Sequence, residues 1–231
     1  MIDDLKPLLQ IFDPVPQDLQ DYYLQVIRND LVAKSASAVG LFDPQTCIDT
    51  TVNFRSFHPV VSELELLALD DANTSDTHFY SPGMPLPGSV FYLCHDGDSR
   101  FVFPNLASYL AAVEETIATG GFVTDHHPDA RIYAPDQEQL TQAIRSQYNG
   151  ESYDELVLVT LIKTSTLSDV DLFSEIATDV DFYLGEAIAE QILAQPSMNL
   201  LPVAEACAQH KHPQVSKPGK KAIRAIRELA G

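Results

Sequence analysis

The sequence predicts an α+β protein: a small, mostly antiparallel sheet with flanking helices, followed by a mainly helical C-terminal region. Three observations lead there. An amphipathic stripe lies near the start, a hairpin signature sits before residue 104, and a succession of helix-period segments fills the chain beyond about residue 136. With 231 residues, 45% of them hydrophobic, the chain can bury one sizeable core or two smaller ones.

The elements follow in order. Over 18–38, Leu19, Tyr22, Tyr23, Val26, Ile27 and Leu31 fall on one helical face, with Pro14 and Pro16 just ahead of it. Over 40–61 the helical period is lost and Ile48, Thr50, Thr51 and Val52 gather, so one or two strands are expected. A helix over 62–72 is next, with Ser62 as N-cap and Glu65 completing a capping box. The stretch Pro82-Gly83-Met84-Pro85-Leu86-Pro87-Gly88 excludes regular structure and marks a turn-rich loop. Two β-prone runs, Val90 to Cys94 and Ser99 to Phe103, are then joined by His95-Asp96-Gly97-Asp98, whose Asp-Gly step predicts a tight hairpin. A helix over 106–117 follows and Gly120-Gly121 stops it.

Glycine, histidine and proline cluster between 122 and 136, dividing an α+β domain over 1–122 from a mainly helical region over 136–231. In the second region, helices are expected over 138–148, 154–162, 172–177, 182–194, 200–209 and 220–229. The run containing Val157, Val159 and Ile162 is open to a strand reading as well.

Charge is the strongest compositional feature. Thirty-three acids against 14 bases give −19, a field that repels nucleic acid and anionic membranes and attracts basic partners. The imbalance is uneven. Residues 207–231 hold six bases and one acid, +5, while residues 1–206 hold eight bases and 32 acids, −24. The basic C-terminal helix is therefore expected to dock on acidic surface, its own chain's or a second copy's. No apolar run approaches the roughly 20 residues of a membrane span, and Met1-Ile2-Asp3-Asp4 places acid where a secretory signal carries Lys or Arg, so a cytoplasmic location is expected. Cys47, Cys94 and Cys207 lack close spacing and read as reduced structural thiols.

Two constellations could carry chemistry. A histidine and two carboxylates share the His95-Asp96-Gly97-Asp98 turn, which could ligate a cation, yet Asp-Gly is also what a tight turn needs. Asp125-His126-His127 could bind zinc or relay a proton, but neighbouring side chains diverge in most backbone conformations, and a solvated linker is the simpler reading. No P-loop, Gly-x-Ser-x-Gly, His-Glu-x-x-His or Cys-x-x-Cys occurs, which lowers the odds of the common enzymes. No catalytic residue, metal or cofactor is expected.

The order of His58-Pro59-Val60-Val61, the proline-glycine loop, Gly88 to Phe103 with its acidic turn, and Leu106-Ala107-Ser108-Tyr109-Leu110 resembles an SMI1/KNR4-like (SUKH) domain over residues 1–120. Asp13-Pro14-Val15-Pro16 stands where such domains begin with a Leu-Pro step. The stretch from Pro202 to Leu229 resembles a single HEAT-type helical pair. The SUKH resemblance implies an α+β protein-binding fold, in bacteria often an immunity protein that neutralises a toxin.

The expected function is thus non-enzymatic protein binding, of the immunity type, toward a basic toxin or nuclease. Asp70, Asp71, Asp76, Asp96 and Asp98 are the expected contact residues. Two other readings stay open: a metal-dependent hydrolase using His95, Asp96 and Asp98, and a scaffold or homo-oligomer built through the C-terminal helices.

Overall fold

The computed structural model describes residues 3–71, 76–95, 97–150 and 152–229. The chain is α+β, and it divides into two compact units, Met1–Ile132 and Tyr133–Gly231. Unit 1 carries 19 acids against six bases and unit 2 carries 14 against eight.

Unit 1 opens with a 3-10 segment, Asp3–Gln10, followed by helices α1 (Gln17–Arg28) and α2 (Leu31–Ser35). The predicted stripe holds for Leu19, Tyr22, Tyr23 and Val26, the buried residues of α1, while Ile27 is exposed. The expected helix over 18–38 is broken at Asp30, whose φ of 52° lies in the left-handed region. Helix α3 (Pro44–Arg55) occupies the stretch expected to form strands. Capping overrides β-branching there, because the Asp43 carboxylate accepts from the main-chain N–H groups of Gln45 and Thr46, and Pro44 takes the first helical position, where its missing N–H costs nothing.

The helix expected over 62–72 is also corrected. A short helix α4 (Pro59–Glu63) ends there, and Glu65 adopts φ 51° while the N–H of Leu66 bonds Val61 O and that of Glu65 bonds Ser62 O. That pair of bonds is a Schellman C-terminus, so Ser62 and Glu65 close a helix instead of opening one.

The sheet is a meander of four antiparallel strands in sequence order, β1 (Leu67–Ala68), β2 (Thr77–Tyr80), β3 (Val90–Leu93) and β4 (Arg100–Phe103). The predicted hairpin is β3–β4, with Tyr92 opposite Arg100, while β2 was not expected. Its four residues are all buried, so it has no polar alternation to reveal it. Helix α5 (Leu106–Thr119) follows, capped by Asn105, which accepts from the Ser108 N–H, and ended at Gly120, φ 80°. Leu19, Tyr23, Val26, Val90, Val102 and Val113 are among the fully buried core residues of unit 1.

Unit 2 is helical: α6 (Gln137–Tyr148), α7 (Glu155–Ile162), α8 (Val170–Ile176), α9 (Phe182–Ala194), α10 (Leu201–Gln209) and α11 (Pro213–Glu228). The run with strand character is α7, set as a helix by Asp154, whose side chain accepts from the Val157 N–H. Helix α11 starts seven residues earlier than expected because Pro213 is tolerated in its first turn and Pro218 is accommodated within it. It buries Val215, Gly219, Ala222 and Ile226, and exposes Lys217, Lys220, Lys221, Arg224 and Arg227.

Candidate functional site

Asp70 is wholly buried, which corrects its expected place on a contact surface. It follows β1, bridges back to Leu41, and is held among three donors. The main-chain N–H of His78 donates to Oδ1 at 2.8 Å, the His78 imidazole bonds Oδ2 through Nδ1 at 2.8 Å, and the Tyr109 hydroxyl donates to Oδ2 at 2.5 Å. A carboxyl group removed from water needs this many partners to be tolerated.

His78, on β2, is also wholly buried. With Nδ1 carrying its hydrogen toward Asp70, Nε2 is left to share a hydrogen with His127 Nε2, 2.8 Å away. The result is a linear chain, Tyr109 and His78 on Asp70, then His127. Aromatic rings wall it in: Tyr92 lies 4.9 Å and Tyr109 5.2 Å from the His78 ring centre, and Phe103 lies 5.4 Å from that of His127. Burial, then the neighbouring His78 and Arg100, push the His127 imidazole down to about 3, so it stays neutral at ordinary pH. Burial and then Asp70 hold the Tyr22 and Tyr109 phenols well above their usual value. The Tyr22 hydroxyl has no hydrogen-bond partner among the described residues.

The expected linker reading of His126-His127 is corrected at His127. The 3-10 turn Val123–His126 brings His127, half-buried, against the sheet, where it bonds His78. Sequence reasoning missed His78 altogether, since a lone histidine in an apolar strand carries no motif. The one available signal was a doubled histidine after a helix stop.

Of the remaining expected contact residues, Asp71, Asp76 and Asp98 lie toward one end of the sheet. In a meander the β1–β2 and β3–β4 connections emerge at the same end of the sheet, and the register Thr77 opposite Leu93 places them side by side. Asp71 and Asp98 are exposed there, and Asp76 is half-buried. Asp76 Oδ1 accepts from the His95 N–H at 2.6 Å and Oδ2 from the Tyr92 hydroxyl at 2.8 Å. Asp98 lies 3.8 Å from Arg100. Asp96 lies outside the described residues. Among the described residues, no three His, Cys, Asp or Glu side chains gather as a metal ion would require. Cys47 and Cys207, both buried, have their thiols pushed up to about 12 by burial, which suits structural packing and not nucleophilic chemistry. No helix among the described residues is long and apolar enough to cross a membrane.

Comparison with known proteins adds no relative: no family model, no curated protein and no solved structure matches the chain.

Proposed function

We propose that this chain is a non-enzymatic acidic protein-binding module that engages a basic partner through the end of the unit 1 sheet. The single observation that carries the reading is the convergence of Asp71, Asp76 and Asp98 at that end, on a unit with 19 acids and six bases. A field of one sign speeds the encounter with an oppositely charged partner and discourages like-charged ones. The Asp70–His78–His127 chain supports the same reading, because its hydrogen bonds run among its own members and brace the strand behind the acidic end. The resemblance to SMI1/KNR4-like domains suggests an immunity-type role, in which such a face occupies the basic substrate site of a toxin or nuclease. Affinity capture from the source cell lysate at low salt, repeated with Asp71→Lys plus Asp98→Lys, tests it. The account expects a basic protein held by the native chain and lost with the double variant. Failure to recover any partner at low salt would count heavily against it.

A second reading has its own observation. The bases of α11 lie exposed along the helix opposite its buried face, so one copy could present a basic edge to the acidic surface of another. Mass in solution at low and high salt separates the two: a salt-sensitive dimer favours self-association, and a monomer at both removes it.

A further inference from the structure

A pocket of about 190 Å³ opens at the acidic end of the unit 1 sheet. His78 and Tyr92 from the sheet form part of its lining, Val39, Phe122 and Thr124 contribute from flanking segments, and Asp76 supplies a carboxylate. We infer that this pocket seats an alkylammonium group, the side-chain end of a lysine on the basic partner. The source of the group rests on the protein-binding reading above.

Four features select this chemistry. Size is the first: a cavity of roughly 150 Å³ accommodates benzene, so this one admits a butylammonium-sized group and is too small for most drug-sized ligands. The second is charge. Asp76 accepts from the His95 N–H on Oδ1, and from the Tyr92 hydroxyl and, at 3.8 Å, the Cys94 thiol on Oδ2; a carboxylate has about four acceptor sites, which leaves room for one ammonium donor. No lysine or arginine lines the pocket, so the carboxylate's charge has no cation within it. Third, the His78 ring nitrogens are already committed to Asp70 and His127, so that residue offers the pocket no further hydrogen bond. Fourth, the lining suits the two parts of a lysine end. Phe122, 55% exposed, is apolar surface for methylenes, and the Tyr92 hydroxyl holds the Asp76 carboxylate in place for the ammonium end. An anion would meet Asp76 without a compensating base, and a neutral alkyl group would leave the carboxylate's remaining acceptor capacity unused.

The probe is n-butylammonium, titrated into the full chain at constant ionic strength and followed by NMR, with 1-pentanol as its neutral counterpart. Saturable shifts are expected at His78, Tyr92 and Thr124, with 1-pentanol at least ~10-fold weaker, as for loss of one charge-assisted hydrogen bond. Asp76→Asn, checked for native circular dichroism, should weaken n-butylammonium by a similar factor. Should Asp76→Asn fail to fold, the comparison of n-butylammonium with 1-pentanol on the native chain decides alone. Equal binding of the two probes, or no saturable shift, overturns the assignment. If partner capture survives while n-butylammonium fails to bind, the pocket's role falls and the protein-binding reading stands.

Discussion

The two units solve the same problem, satisfying buried backbone, with different means. In unit 2 the helices bond their own backbone, and acids finish the ends: Asp136, Asp154, Asp169 and Asp181 each accept from an N–H in the first turn of α6, α7, α8 and α9. Unit 1 has short strands and long connections, so side chains must complete what the ladder leaves open. Thr51 accepts from the Ala68 N–H, Ser35 from Leu41, Asp70 from His78 and Asp76 from His95. The comparison teaches that acidity here is partly architecture. Aspartates at helix starts and strand starts do structural work, and only those left facing water are available to a partner.

The interiors differ accordingly. Unit 1 buries an ionisable chain, whereas unit 2 packs helices tightly at glycines: a Cβ on Gly219 would fall 2.5 Å from the Ala208 main-chain N, and one on Gly185 2.8 Å from the Val215 side chain at Cγ1. The largest expected effect therefore belongs to Asp70→Ala, which strands three buried donors and should cost about 3–5 kcal/mol in denaturant unfolding. Gly219→Ala should cost about 1–3 kcal/mol by overpacking, with faster hydrogen exchange in α10 and α11 and unchanged protection in the β2–β3 pair. Loss of protection in both units would break the distinction. Replacing His127 with Ala leaves His78 Nε2 without its partner and should cost about 1–2 kcal/mol.

Acid should act through the same residue. His127 is held at about 3 in the folded chain against an ordinary 6.5, so between those values the unfolded chain binds a proton that the folded chain refuses. Stability from this group is complete above about pH 6.5 and declines as pH falls toward 3. The slope should stay well under the roughly 1.4 kcal/mol per pH unit of a fully buried proton site, because part of the ring meets water. Urea midpoints across pH 4–7 should show that decline, and His127→Ala should flatten it. The smallest effect is a gain: Tyr22→Phe removes a buried hydroxyl without a hydrogen-bond partner and should stabilise by about 1 kcal/mol.

Much of the fold was legible because period and punctuation agreed. The hairpin, α5 with its Gly120 stop, α6 and α8 to α10 all combine a clear pattern with a clear boundary, whereas the α7 run was open to a strand reading. Two of the errors share a cause. Ser62 with Glu65, and the β-branched run around Thr50, carry local signals that left-handed backbone at Glu65 and the Asp43 cap of α3 overrode. For the candidate site, the carboxylates of the sheet end were visible as charges. The burial of Asp70 and the pairing of His78 with His127, 49 residues apart, were not, since no local spacing encodes them.

The most direct measurement is the association rate with the captured partner across ionic strength, for the native chain and for Asp71→Asn with Asp98→Asn. The account predicts fast association at low salt that falls steeply as salt screens it, and a slower low-salt rate in the double variant with dissociation little changed. A rate indifferent to salt, or identical in the two proteins, would contradict an acidic sheet end as the binding face.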